Sequence, residues 1–220
     1  MSKTGTETAA KPKEFQAEVA KLLHLMVHSV YSEREVFLRE LISNSSDACD
    51  KLRYEALKND KLMAEGGELR IDISFDKKAK TLTIADTGIG MDAKELSDNL
   101  GTIARSGTQA FMEQIEGAKK SKDKAGQDVH LIGQFGVGFY SAFMIAEQVD
   151  VISRKAGTKK ANVWSSDGSG TYTVNAYEGE DAPVRGTSIR LKLRKDAKEF
   201  LGDARLEHIV GFHDTGDILL

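Results

Sequence analysis

Between residues 149 and 193, four strand-forming stretches succeed one another with no helix between them. They cover 149–154, 161–165, 171–176 and 187–193, separated by glycine-bearing links such as Asp167-Gly168-Ser169-Gly170. Two more strands are expected at 69–75 and 81–85, where the short link Asp76-Lys77-Lys78-Ala79 reads as a hairpin. Helical patterns lie mostly ahead of the strand run. Phe15, Val19, Leu22, Leu23, Met26 and Val30 recur at helical spacing over 14–30. A second helix, 33–57, opens at Ser32 and Glu35, which resemble a capping box. Asp92 caps a short helix through Leu100, an apolar helix is expected from Gly136 to Glu147, and a last amphipathic segment spans 206–212. Strands in succession, with helices gathered before them, predict an α+β two-layer sandwich rather than alternating βαβ units.

The chain has 220 residues, enough for one domain with a real core, here expected over 14–220 behind a flexible tail at 1–13. A net charge of −3 offers no basic footprint for nucleic acid. Cys49 is the single cysteine, so no intrachain disulfide can form. No apolar run reaches the roughly 18 residues that would cross a bilayer, and the start of the chain lacks a secretory apolar core. A reducing, cytoplasmic setting is the expectation.

Glu40, Asn44 and Asp47 stand at i, i+4 and i+7 of the second helix, which stacks them on one face while Leu38, Leu41, Ile42, Cys49 and Leu52 point toward a core. Two glycine turns follow, Asp86-Thr87-Gly88-Ile89-Gly90-Met91 and Gly133-Gln134-Phe135-Gly136-Val137-Gly138-Phe139. Taken singly, each has a plainer explanation: an exposed helix edge, a tight Asx turn, close helix–sheet packing. Together they form a nucleotide site. Asp86 ends a strand, where its carboxylate can accept from an exocyclic amino group such as that of adenine. The glycines let backbone approach a flat base. Gly136-Val137-Gly138 opens a helix whose free N–H groups suit phosphate. Asn44 offers an amide oxygen to Mg²⁺, and Glu40 can orient or deprotonate a water attacking the terminal phosphate. The Gly-punctuated stretch 101–132 between the turns reads as a mobile lid. P-loop, dinucleotide-fold and protein-kinase signatures are missing.

The strings FLRELISNSSDACDKLR, ADTGIGM, LGTIARSGTQAFME and IGQFGVGFYSAFMIAEQVDVISR resemble the N-terminal ATP-binding domain of the Hsp90 chaperones, in its bacterial cytosolic form. The likeness covers residues 14–210. It places the chain among the wider GHKL (Bergerat) ATP-binding fold of DNA gyrase B, histidine kinases and MutL. The resemblance implies a curved, mostly antiparallel sheet of about eight strands with helices on one face. It implies ATP and ADP as ligands, with Mg²⁺ as cofactor. Glu40 matches the general base and Asn44 the Mg²⁺ and phosphate ligand. Asp86 matches the adenine-binding carboxylate, helped by a water held near Thr187. Gly90 and Met91 match the adenine pocket, and Asp47 lies toward base and ribose. Asn99 and Arg105 match the sugar–phosphate edge, with Leu100 in the same nucleotide-binding set. Phe139 with the Gly136, Val137 and Gly138 backbone matches the phosphate-side turn.

In full-length members, the resemblance further implies, hydrolysis drives lid closure and clamp cycling on client proteins, with a homodimer built by domains outside this chain. A middle-domain arginine there reaches the γ-phosphate, so slow hydrolysis is expected without it. Arg105 stands where many eukaryotic members of the family carry Lys, and residues 208–220 depart from the usual exit of this domain. Two competing readings are a histidine-kinase catalytic domain and metal binding at His24-x-x-x-His28. The first lacks an acid neighbouring those histidines and the second lacks a third ligand.

Overall fold

A computed structural model describes residues 11–28, 34–101, 138–211 and 218–219. Within these residues an eight-stranded sheet carries four helices. The strands are β1 (Lys13–Glu14), β2 (Ile71–Asp76), β3 (Thr81–Asp86), β4 (Ala146–Arg154), β5 (Ala161–Ser166), β6 (Thr171–Tyr177), β7 (Gly186–Leu193) and β8 (Ile218–Leu219). Their order across the sheet is β1-β6-β5-β4-β7-β3-β2-β8, with every pair antiparallel except β2 and β8. The helices are α1 (Ala17–His28), α2 (Val36–Ala56), α3 (Ala93–Gly101) and α4 (Asp203–Val210), and 3₁₀ turns run over Asp60–Met63, Gly138–Met144 and Lys195–Phe200.

Strand register decides what the sheet offers the helices. Residues directly opposite one another share a face. Leu82, Leu191 and Val149 therefore form one rung, and Ile84, Ile189 and Val151 form the next. All six are buried, and they pack with Leu38, Leu41 and Ile42 of α2 in one core. The opposite face carries Ser74, Thr83, Arg190 and Asp150 in register, all exposed or half-buried. One more step along the apolar face comes a third rung, Asp86, Thr187 and Ser153, polar yet equally buried. A polar rung at the end of an apolar face is where this sheet stops being core.

The α+β two-layer expectation holds, and four boundaries move. Residues 136–147 are not one helix. Gly138–Met144 is a 3₁₀ turn, and Ala146 and Glu147 already belong to β4. A continuous apolar run has no period to separate helix from buried strand, and here pairing of Ala146 with Leu193 decides it. The first helix begins at Ala17 rather than residue 14, because Lys13 and Glu14 pair with Tyr172 and Thr171 at the sheet edge. The second begins at Val36, and Glu35 makes no capping hydrogen bond. Its carboxylate is taken by Arg39 and, at 2.8 Å, by Arg205 of α4. Ser32, the other half of the expected capping box, lies outside the described residues, as do Val30, tail residues 1–10 and the lid stretch beyond Gly101. The final helix starts at Asp203, three residues before the amphipathic signal.

Candidate functional site

A cavity of about 660 Å³ opens between α2 and the polar rung. Helix α2 supplies Glu40, Asn44 and Asp47, and the same face continues with Ala48 and Lys51. Its opposite edge is closed by Asp86, Gly90 and Met91 of the first glycine turn, by Asn99 and Leu100 of α3, by Gly138 and Phe139, and by Thr187 of β7. These eleven expected site residues, scattered over some 150 positions of chain, share one hollow. The remaining three, Arg105, Gly136 and Val137, lie outside the described residues.

The first glycine turn is locked from three sides. Ile89 N–H donates to the Ala48 carbonyl of α2 at 3.0 Å, and a Cβ at Gly88 would stand 2.6 Å from that residue's backbone. Gly90 has φ of 63°, and a Cβ there would come within 2.0 Å of the Arg154 carbonyl oxygen. From below, buried Arg185 donates to the Thr87 carbonyl at 2.9 Å and the Gly67 carbonyl at 2.8 Å. The turn is thus clamped between helix and sheet, with Asp86 aimed at the cavity from a strand end.

Asp86 is only 6% exposed. Gly88 N–H donates to its Oδ1 at 2.9 Å, and the Thr187 N–H and Ser45 hydroxyl also bond the carboxylate. Burial outweighs these bonds and pushes its pKa up to about 7. Glu40 is partly buried, and loss of solvent raises its carboxyl too. That carboxyl lies against the backbone of Gly138, where a Cβ would meet Oε2 at 2.1 Å. Only glycine leaves Glu40 that position.

Helix α3 is fixed by a reciprocal cap: Asp92 Oδ1 accepts from Glu95 N–H, and Glu95 Oε2 accepts from Asp92 N–H, both at 2.9 Å. Lys155 of the segment after β4 ties Glu95 down at 2.6 Å. Asn99 and Leu100 are thereby held at the rim.

Sequence reasoning missed Ser43, Ser45, Ala48, Lys51, Ile89, Glu95, Val151 and Ile189 of the lining. Ala48 and Lys51 were legible, since they extend the i, i+4, i+7 face of Glu40 by one turn. Val151 and Ile189 carry no local signal, because only pairing in adjacent strands puts them under the cavity. Among the described residues no group of three or more His, Cys, Asp or Glu stands where it could hold a metal, and the His28 side chain lies outside them. Among them, too, no helix is long and apolar enough to cross a membrane.

Comparison with known proteins fits this geometry. Residues 31–178 match the family described as histidine kinase-, DNA gyrase B-, and HSP90-like ATPase. Chaperone protein HtpG of Azorhizobium caulinodans is 55% identical over 207 residues, covering 94% of this chain and 32% of the relative. The HtpG proteins of Rhizobium meliloti and Rhodospirillum rubrum are 57% and 58% identical over 93% and 89% of this chain, which spans 32% and 30% of their lengths. The chain thus spans about a third of the length of these curated relatives. With a matching family core, a polar rung under α2 and a cavity bounded by a clamped glycine turn, the chain belongs to the histidine kinase-, DNA gyrase B- and HSP90-like ATPases.

Proposed function

We propose that the cavity binds ATP and ADP through the adenine edge at Asp86 and hydrolyses ATP with Glu40 as general base, in the nucleotide-binding domain of an Hsp90-type chaperone. The observation that carries this reading is the meeting of Asp86, Asn44 and Glu40 in one cavity, within the roughly 300–1,000 Å³ range of small-molecule sites. The buried carboxylate of Asp86 accepts the exocyclic amino group, and Gly90 and Met91 give the base a flat backbone wall. Asp47 faces base and ribose, and Asn99 and Leu100 the sugar–phosphate edge, a role that the family likeness also gives Arg105. Gly138 and Phe139 face the phosphates, a role that the family likeness extends to Gly136 and Val137.

The donor set fits Mg²⁺. One neutral amide at Asn44 is a sparse ligand shell, which suits a cation that keeps waters and arrives on nucleotide phosphates. When bound, the ion would neutralise phosphate charge. Glu40, made more basic by its burial, takes the proton of the attacking water as the bond to the terminal phosphoryl group breaks, leaving ADP and phosphate. The domain is assigned from Lys13 to residue 220, since Lys13 pairs at the sheet edge rather than lying in the expected 1–13 tail, and the stretch 101–132 is assigned as its lid. Clamp cycling on client proteins, a homodimer through other domains and a cytoplasmic location are proposed from the Hsp90 likeness, which the chaperone name of the HtpG relatives supports.

Calorimetric titration with ADP and GDP, in the presence of Mg²⁺, tests the site. ADP should bind and GDP should not, and Asp86→Asn should abolish ADP binding. Tight ADP binding by that variant would overturn the pocket assignment.

A further inference from the structure

Ser153 does not line the cavity, is fully buried, and carries three hydrogen bonds at the end of the polar rung. Its Oγ lies 2.8 Å from Met91 N, 3.1 Å from the Gly186 carbonyl oxygen and 2.9 Å from Thr187 Oγ1. Counting protons leaves a single arrangement that satisfies all three. A backbone N–H only donates and a carbonyl only accepts, so Met91 must donate to Ser153 and Ser153 must donate to Gly186. The single hydroxyl proton of Ser153 is then spent. Its bond to Thr187 therefore requires Thr187 to donate, and the proton of Thr187 points away from the ligand, toward Ser153.

What remains on the cavity side of Thr187 is lone pairs. Beside it stands Asp86, which is acceptor-only once ionised. We infer that Ser153 is a positioning residue for base specificity, holding the Thr187 hydroxyl as an acceptor so that the sheet wall of the cavity presents acceptors alone. Such a wall welcomes a base edge that donates, as the 6-amino group of adenine does directly and an ordered water does in turn. It repels a 6-oxo base, whose carbonyl oxygen would face two acceptors with no proton between them. The same serine anchors Met91 N–H, so turn and wall are set by one atom.

This inference rests on the adenine reading of the site, and its test separates the two. Binding of ADP and inosine diphosphate, which differ at the 6-position and N1, is measured by calorimetry at about pH 8.5, where Asp86 is ionised. Wild type should prefer ADP strongly. In Ser153→Ala the Thr187 proton is free to turn into the cavity, so the ADP-to-IDP affinity ratio should fall about three- to tenfold, the worth of one neutral hydrogen bond. Ser153→Thr, which keeps the hydroxyl, should restore the ratio. A general loosening of the site would weaken both ligands alike and leave the ratio unchanged, which would overturn the role of Ser153 while ADP binding stands. If Ser153→Ala does not fold, Ser153→Cys, a poor donor of similar shape, takes its place with the same expected loss. Failure of wild type to bind ADP would overturn the adenine reading and this inference with it.

Discussion

Asp86 ties nucleotide affinity to pH, and its surroundings set the size of the effect. Burial carries its carboxyl from 3.8 to about 7, with the bonds from Gly88, Thr187 and Ser45 offsetting part of the shift. An adenine amino group needs the ionised acceptor, so a proton on Asp86 competes with the ligand. With a pKa near 7, the competent fraction rises from about one tenth at pH 6 to about nine tenths at pH 8, a roughly tenfold tightening of apparent affinity. Adenosine is the cleaner ligand, since it carries no phosphate that titrates in the same window. Calorimetry in buffers of different ionisation enthalpy reads both the affinity and the proton released, about half a proton at pH 7. The free protein reports the same group. Its folded pKa lies above the unfolded value, so its stabilising contribution is complete below about pH 4 and is lost as pH rises through 7. At ~1.4 kcal/mol per pH unit that loss is about 4 kcal/mol. A dissociation constant level from pH 6 to 8, with no proton released, would refute the reasoning.

Glu40→Ala should keep ADP binding and lower phosphate release by about 10²-fold or more, as removal of a general base does. Gly138→Ala should do the same by displacing the Glu40 carboxylate, which its new methyl group would overlap; unchanged turnover in this variant would detach Glu40 from the chemistry. Asp92→Ala removes the side-chain acceptor for Glu95 N–H at the start of α3 and should cost about 1 kcal/mol, read as a Tm lowered by roughly 2–4 °C. An unshifted Tm would mean that Lys155 alone holds the helix.

Much of the site was legible because its parts are local. Glu40, Asn44 and Asp47 share a face by helical periodicity alone, and Asp86 with Gly88 and Gly90 announces a strand ending in a turn. The reading failed where local pattern is silent. The apolar residues from Ala142 to Ala146 fit helix or buried strand equally well; the chain keeps a 3₁₀ turn through Met144 and becomes strand only at Ala146, where it pairs with β7. Ser32 and Glu35 looked like a cap, yet the Glu35 carboxylate went to Arg205, a partner 170 residues away.

From the residue order alone came the class of fold, the polar helix face, the two glycine turns and the family likeness, because each is written within a few consecutive turns or strands. The tertiary structure alone decided that Asp86, Thr187 and Ser153 stand in one rung, that Glu40 rests on Gly138, and that Val151 and Ile189 floor the cavity. Register and close approach join segments distant in the chain. A shift of one residue in any of these strands would turn the polar rung to the other face; alternation within a strand gives its faces, but not which residues of the neighbouring strands stand opposite.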